Sequence, residues 1–275
     1  GWQKTFVVIM VVSLLVMFGA PVFSLITRSF VTLDADRGQR GEVVPGFTLR
    51  YYRELFQNRS GSIFYVPPVQ AIRNSLLYSG VTILIAGFLG TLTAYAMARR
   101  VWLNRLLEPL FMLPLGASAV TLGLGFLLVF NRPPWINSRF PLLIPIAHSL
   151  IALPFVVRTI LPAIRGIPHS LREASRTLGA APWQVFLRVD LPILLRSLLV
   201  SMVFAFTISL GEFGASSFLS TPQTPTIPVA IYRYISQPGA LNYGQALAMS
   251  TLLLIVCGLG SLLIEKIRLP GEELF

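Results

Sequence analysis

The chain has 275 residues, of which 54% are hydrophobic and 12% charged, and its mean hydropathy of +0.72 is too high for a water-soluble fold of this length. The formal net charge of +11 comes from arginines scattered over several polar segments rather than one stripe, which excludes a nucleic-acid-binding face. Cys257 is the single cysteine, so a disulfide framework and a cysteine metal cluster are excluded, and its expected place is buried in the membrane as a packing residue.

A helix needs roughly 20 apolar residues to cross about 30 Å of hydrocarbon. In chain order six runs qualify: Phe6 to Ile26, Ser75 to Ala98, Pro109 to Phe130, Leu142 to Ile164, Ser197 to Leu219 and Gly244 to Ile264. They are too long and too continuous for the alternating strands of an outer-membrane barrel. The predicted fold is an all-α membrane protein, a polytopic bundle of six transmembrane helices forming one domain over residues 1–275. The first run is longer than the apolar core of a signal peptide and lacks a small-residue cleavage site before Arg28, so it is read as a span.

Between the first two spans lies a polar segment, residues 27–73, whose "LRYYRELF" predicts one short helix with aromatics suited to the membrane surface. The string "NRS" within it matches a glycosylation acceptor and carries little weight. The loop "NRPPWINSRF" is stiffened by Pro133 and Pro134, and "TPTIPVAIYRYI" predicts an amphipathic helix between proline breakers. Pro114 with Gly116, and Pro154 with Pro162, mark expected kinks.

With an even number of spans both termini share a side with the loops Arg99 to Glu108 and Arg165 to Arg196. Arg99, Arg100, Arg105, Arg165, Arg172, Arg176, Arg188 and Arg196 sit in those loops, and Lys4, Lys266 and Arg268 at the termini. The positive-inside rule makes this side cytoplasmic, in a bacterial cytoplasmic membrane, although seven arginines also lie in the opposite segment 27–73, with Asp34, Asp36, Glu42 and Glu54.

The segment 165–196 is the polar interruption that the spans do not explain. "PHSLREASRTLG" has a proline start and a glycine stop, predicting one short helix; Pro182 suits the first position of a second, in which Trp183, Phe186 and Leu187 form an apolar face. Pro192 is expected to mark the start of the fifth span. Periodicity alone leaves a surface-lying helix, a connector and a docking element all open.

The spacing of Glu173, Ala174 and Ser175, then Gly179, then Val189, Leu191 and Pro192 resembles the EAA loop of ABC importer permeases: EAA, three residues, G, nine, I, one, LP. Ser175 stands for the second alanine and Val189 for isoleucine. Together with "FAFTISLGEFGASSFL" and "TPTIPVAIYRYI", the chain is similar to the type I branch containing ferric-iron and thiamine permeases, with sulfate and molybdate permeases further off. The similarity covers about Pro109 to Glu265. Many members of that branch carry two such halves in one chain; this chain carries one and starts at Gly1, which suits an excised piece or a processed subunit.

The resemblance implies a cytoplasmic coupling-helix loop that docks in an ATPase subunit dimer, a second permease half or a homodimer, an extracytoplasmic solute-binding protein, and lipid around the bundle. This chain would bind no cofactor or metal, ATP and Mg being used by the partner. No G-x-x-x-x-G-K-[ST] occurs, and Lys4 and Lys266 are the only lysines, so the chain is no ATPase. The rival reading is a secondary transporter or channel half that needs no ATPase.

Charge inside a span costs about 2.5–3.5 kcal/mol near the centre on insertion scales and asks for a reason. Glu212 lies about 24 Å along a straight helix from Arg196, and His148 about 25 Å from Arg165, which puts both in the outer third. Either they border a translocation path or outer gate, or Glu212 satisfies backbone groups where the helix loosens at Gly211 and Gly214 while His148 is a bonded core residue. Arg158, about 10 Å from the inner boundary, is expected to snorkel.

Overall fold

The computed structural model describes residues 1–33, 43–57, 65–98, 102–130 and 142–266. The glycosylation-like string, the loop containing Pro133 and Pro134, and Arg99, Arg100 and Arg268 lie outside the described residues.

The helices in chain order are α1 (Trp2–Ser29), α2 (Arg50–Leu55), α3 (Pro68–Ala98), α4 (Trp102–Gly116), α5 (Ala119–Phe130), α6 (Leu143–Gly166), α7 (His169–Thr177), α8 (Pro182–Val185), α9 (Leu191–Gly211), α10 (Gly214–Leu219), α11 (Ile227–Ile235) and α12 (Ala240–Lys266). Among the described residues five helical stretches are long and apolar enough to cross a membrane, and a sixth forms if a bent pair counts as one span. The polytopic all-α architecture stands, with one addition: an antiparallel ribbon of β1 (Val31–Leu33) and β2 (Val43–Phe47).

The chain divides into two compact units, Gly1–Ile72 with Pro225–Ile255, and Arg73–Thr224 with Val256–Phe275.

In the first unit α1 runs exposed along nearly its whole length and buries only Ser29, whose hydroxyl lies 2.7 Å from that of Tyr52. Phe30 stacks on both Phe47 and Tyr52. The predicted helix in segment 27–73 forms as α2, and its aromatics divide: Tyr51 is buried with Glu54 and Leu55, Tyr52 is half-buried, and Phe56 just beyond the helix is exposed. Tyr51 lies flat against Gly244 of α12, where a Cβ would run into its ring. α11 matches the predicted amphipathic helix, and the Tyr234 hydroxyl donates to the Val66 carbonyl at 3.1 Å. Burial of Tyr234 raises its pKa to about 12.

In the second unit α3, α4, α6 and α9 share an apolar core that includes Ala94, Met97, Val156, Ile160, Ile164 and Leu194. Lipid tails are as apolar as these side chains, so close packing rather than water exclusion holds such helices together, and small residues permit it. Gly90 is an instance: a Cβ there would stand 2.5 Å from Val156 Cγ1.

Two expected spans are broken. The third bends by 105° between Glu108–Gly116 and Ala119–Phe130, where Pro114 lacks an N–H and Gly116 adds no side chain to stiffen the turn. The fifth, read as Ser197 to Leu219 with a loosening at Gly211 and Gly214, stops at Gly211, and α10 restarts at Gly214. Pro154 and Pro162, by contrast, lie inside one continuous α6. Cys257 lies within the α12 span, as expected, and is half-buried there.

Candidate functional site

Two places combine polar chemistry with an unusual backbone. The first is the loop 165–196. α7 follows Pro168, held extended at φ −59° and ψ 131°, and ends in a Schellman turn. The Gly179 N–H donates to the Arg176 carbonyl at 2.9 Å and the Ala180 N–H to that of Ser175 at 3.0 Å. That closure needs a left-handed residue after the helix, and Gly179 supplies it with φ +82°. The Gln184 side chain then accepts the Ala181 N–H at 2.8 Å, and Pro182 opens α8.

The two expected short helices form as α7 and α8, and Pro192 stands in the first turn of α9, where the fifth span was expected to begin; what the sequence did not announce is that no gap separates α8 from α9. From Pro182 to Gly211 the chain is one helical stretch of 30 residues, and Phe186–Asp190 form a π turn within it. Proline in a helix interior lacks a donor and crowds the carbonyl four residues back, so Pro192 is accommodated by widening the preceding turn rather than by ending the helix. The predicted apolar face is divided as well. Phe186 turns inward and meets Tyr95 of α3 edge-on at 5.8 Å, while Trp183 and Leu187 stay exposed.

Of the motif residues, Glu173 and Ala174 are exposed, Ser175 is half-buried and donates to the Leu171 carbonyl at 2.8 Å, Val189 and Leu191 are half-buried, and Pro192 is exposed. The position that the motif leaves free is the most engaged. Asp190 is 5% exposed; its Oδ1 lies 2.8 Å from Arg172 Nε, and its Oδ2 accepts the Tyr95 hydroxyl at 3.1 Å. The hydrogen bond to Asp190 holds the Arg172 pKa above its usual value. Nearby, Arg165 Nη2 donates to the Met97 carbonyl of α3 at 3.3 Å. Sequence reading missed this junction; its one signal was an aspartate at a membrane boundary, a charge that burial makes costly without a partner.

The second place is the break in the fifth span. Glu212 is extended at φ −74° and ψ 112°, and its Oε1 accepts the Ala215 N–H at 3.0 Å, satisfying a donor that the helix start leaves open. His148 of α6 is 1% exposed and spans the break: Nδ1 lies 2.8 Å from Ser209 Oγ, before it, and Nε2 lies 2.9 Å from Ser216 Oγ, after it. The Ser209 hydroxyl donates to the Thr82 hydroxyl at 3.2 Å, which donates in turn to the Pro145 carbonyl at 3.4 Å. That direction assigns the imidazole proton to Nδ1, with Ser216 donating to Nε2. His148 and Glu212 thus meet at one break but share no hydrogen bond. Arg158 is exposed on α6.

Membrane-spanning helices, two of them interrupted within the bundle, with a short amphipathic helix inserted between two spans, define a multi-pass membrane transport subunit. Residues 86–268 match the family of binding-protein-dependent transport system inner membrane components, and the chain belongs to it. It is a permease subunit of an ABC importer, a transport component rather than an enzyme.

The molybdenum transport system permease protein ModB of Escherichia coli (strain K12) is 32% identical over 208 residues, covering 70% of this chain and 91% of ModB. The sulfate transport system permease protein CysW of Synechococcus elongatus is 32% identical over 212 residues, covering 70% and 73%. In fold, a chain of a bacterial ABC transporter that imports the acidic polysaccharide alginate matches with a TM-score of 0.71 at 20% identity, covering 98% of this chain and 96% of that one. A second structure of a bacterial alginate transporter, in complex with a pentasaccharide-bound periplasmic protein, matches at 0.72 and 19% identity, covering 97% and 93%. Molybdenum and sulfate permeases thus stand where the sequence resemblance points to ferric iron and thiamine.

Proposed function

We propose that this permease carries a small tetrahedral oxyanion of the molybdate or sulfate class and takes its driving force from a cytoplasmic ATPase docked on the loop 165–196. The observation that carries the coupling role is the exposed apolar surface of that loop: Leu178 is 88% exposed, Trp183 63%, Leu187 47% and Leu171 45%. Apolar side chains standing out beside exposed Glu173 suit a protein groove with a basic rim.

In this reading the loop and both termini are cytoplasmic, and the ATPase dimer binds and hydrolyses ATP with Mg. A second permease half or a second copy of this chain completes the path, and an extracytoplasmic binding protein delivers the solute. The relatives' substrates support an oxyanion over ferric iron or thiamine. Half-buried Glu212 borders the path at the break, and His148 fixes the shape of the break.

The test is co-purification and uptake. The tagged permease is expected to bring down a Walker-motif ATPase, and Gly179→Asp and Glu173→Arg to lose it. Proteoliposomes holding the complex and its loaded binding protein should accumulate molybdate or sulfate only with ATP inside. Transport by the permease alone without ATP would instead establish the secondary transporter or channel.

A further inference from the structure

We propose that Asp190 is a positioning residue that joins the helix α7, the base of α9 and the adjoining end of α3 into one rigid block, so that force applied to the loop reaches two spans at once. The inference rests on the coupling role given to the loop above and goes beyond it.

Three observations carry it. α7 buries no residue, so packing does not hold it to the bundle; its long-range polar tie is Arg172 Nε to Asp190 Oδ1 at 2.8 Å. The other carboxylate oxygen is taken by Tyr95, 95 positions away on α3, at 3.1 Å. The hub also sits at the last residue of the π turn, with Phe186 from the same turn edge-on to Tyr95. A π turn interrupts the regular hydrogen-bond ladder and is a soft point in a helix. Without a cross-tie, a push on α7 would be absorbed there, and only α9, which is continuous with the loop, would receive it.

A buried carboxylate bonded through both oxygens to groups on two other helices resists that give. Removing its charge leaves the part-buried Arg172 guanidinium without a counter-ion and Tyr95 without its acceptor. Coupling between distant sites needs an element that moves as a unit between two states, and this junction makes α7, α9 and α3 such a unit.

The test uses the permease bound to its ATPase in lipid nanodiscs, with Cys257→Ser and nitroxides on cysteines at the exposed positions Thr177 and Leu92 of α7 and α3. Pulsed EPR compares the nucleotide-free and ATP-vanadate states. With Asp190 intact, one narrow distance distribution is expected in both states. In Asp190→Asn the ATPase should still co-purify, while the distribution shifts by several ångströms or broadens on adding ATP and vanadate. Tyr95→Phe, which deletes one hydroxyl, should broaden it less, and Asp190→Glu should restore part of the narrowness. A distribution that stays narrow and unmoved in Asp190→Asn overturns the proposal, as does one that changes between states with Asp190 present. Loss of the ATPase in Asp190→Asn would also overturn it, making the residue one needed for docking. If the unaltered permease captures no ATPase, the coupling role of the loop fails instead, and the pull-down reports that separately.

Discussion

Gly123 of α5 lies so close to Ala215 of α10 that a Cβ built on the glycine would stand 2.6 Å from the Ala215 Cα. Gly214 repeats the relationship in reverse, its would-be Cβ lying 2.9 Å from the Val120 backbone nitrogen. The second halves of the two broken spans therefore meet backbone to backbone. Gly123→Ala should destabilise the permease by about 1–3 kcal/mol, because the obstacle is main chain that no rotamer change can move. Gly125→Ala, two residues on, meets nothing within 4 Å and should be neutral or slightly stabilising. Thermal unfolding of both variants in detergent separates a packing effect from a general intolerance of the helix.

Gly179 is required for its backbone angle, since a Cβ there meets open space. Gly179→Ala should cost about 1–2 kcal/mol from the left-handed conformation alone, and Gly179→Asn distinctly less. Bulk at this site faces no clash within the chain, so the two variants should rank the same way in ATPase retention as in the stability of the loop, read by limited proteolysis. Equal retention in both would show that docking does not depend on the Schellman turn.

Gly244→Ala drives a methyl group into the Tyr51 ring. The expected result is release of α2, seen as protease cleavage within residues 27–73. Adding Tyr51→Ala should remove the clash and restore the melting temperature in part, though not the packing of the ring. No recovery in the double variant would mean that the ring is not the obstacle.

The break in the fifth span offers a paired test. Glu212→Gln keeps an oxygen for the Ala215 N–H and should leave stability nearly unchanged, whereas Glu212→Ala should cost about 0.5–2 kcal/mol for the lost cap. If Glu212→Gln also leaves oxyanion uptake and coupled ATP hydrolysis unchanged, the carboxylate has no part in the path. His148→Ala leaves Ser209 its bond to Thr82 but strands the Ser216 hydroxyl at about 1–3 kcal/mol and empties a buried site between α6, α9 and α10 at a further cost of about 2–5 kcal/mol, so a larger loss of stability than for either glutamate variant is expected.

The spans were legible because crossing a membrane imposes a length, and six apolar runs met it. Their weak points were legible in part: Pro114 with Gly116, and Gly211 with Gly214, were read as places of kinking or loosening, and the helices break there. How far each would open was not, since Pro154 and Pro162 carry the same local signal and stay inside one continuous helix. The loop was legible through Gly179, whose spacing reflects a local turn that needs no distant partner. Asp190 was illegible for the opposite reason: Tyr95 is 95 residues away, and no local pattern announces it. Which of the aromatics near α2 turns inward was not legible, because an apolar ring looks the same in sequence whether it meets lipid or, as Tyr51 does, Gly244. The proposal of an oxyanion cargo draws on the relatives, since the sequence reading found no cargo motif in the chain.

The π turn at Phe186–Asp190 holds one residue more than an α turn, which offsets the angular register of the helix on either side by about 100°. The direction in which Trp183 and Leu187 look is thereby uncoupled from the face that α9 turns toward its neighbours. Deleting or moving that extra residue would swing the loop's outward face around the helix axis while leaving the membrane packing of α9 as it is. In the coupling role proposed for the loop, phase along one helix, adjustable one residue at a time, would retune which nucleotide-driven motor the permease accepts without redesigning the membrane path.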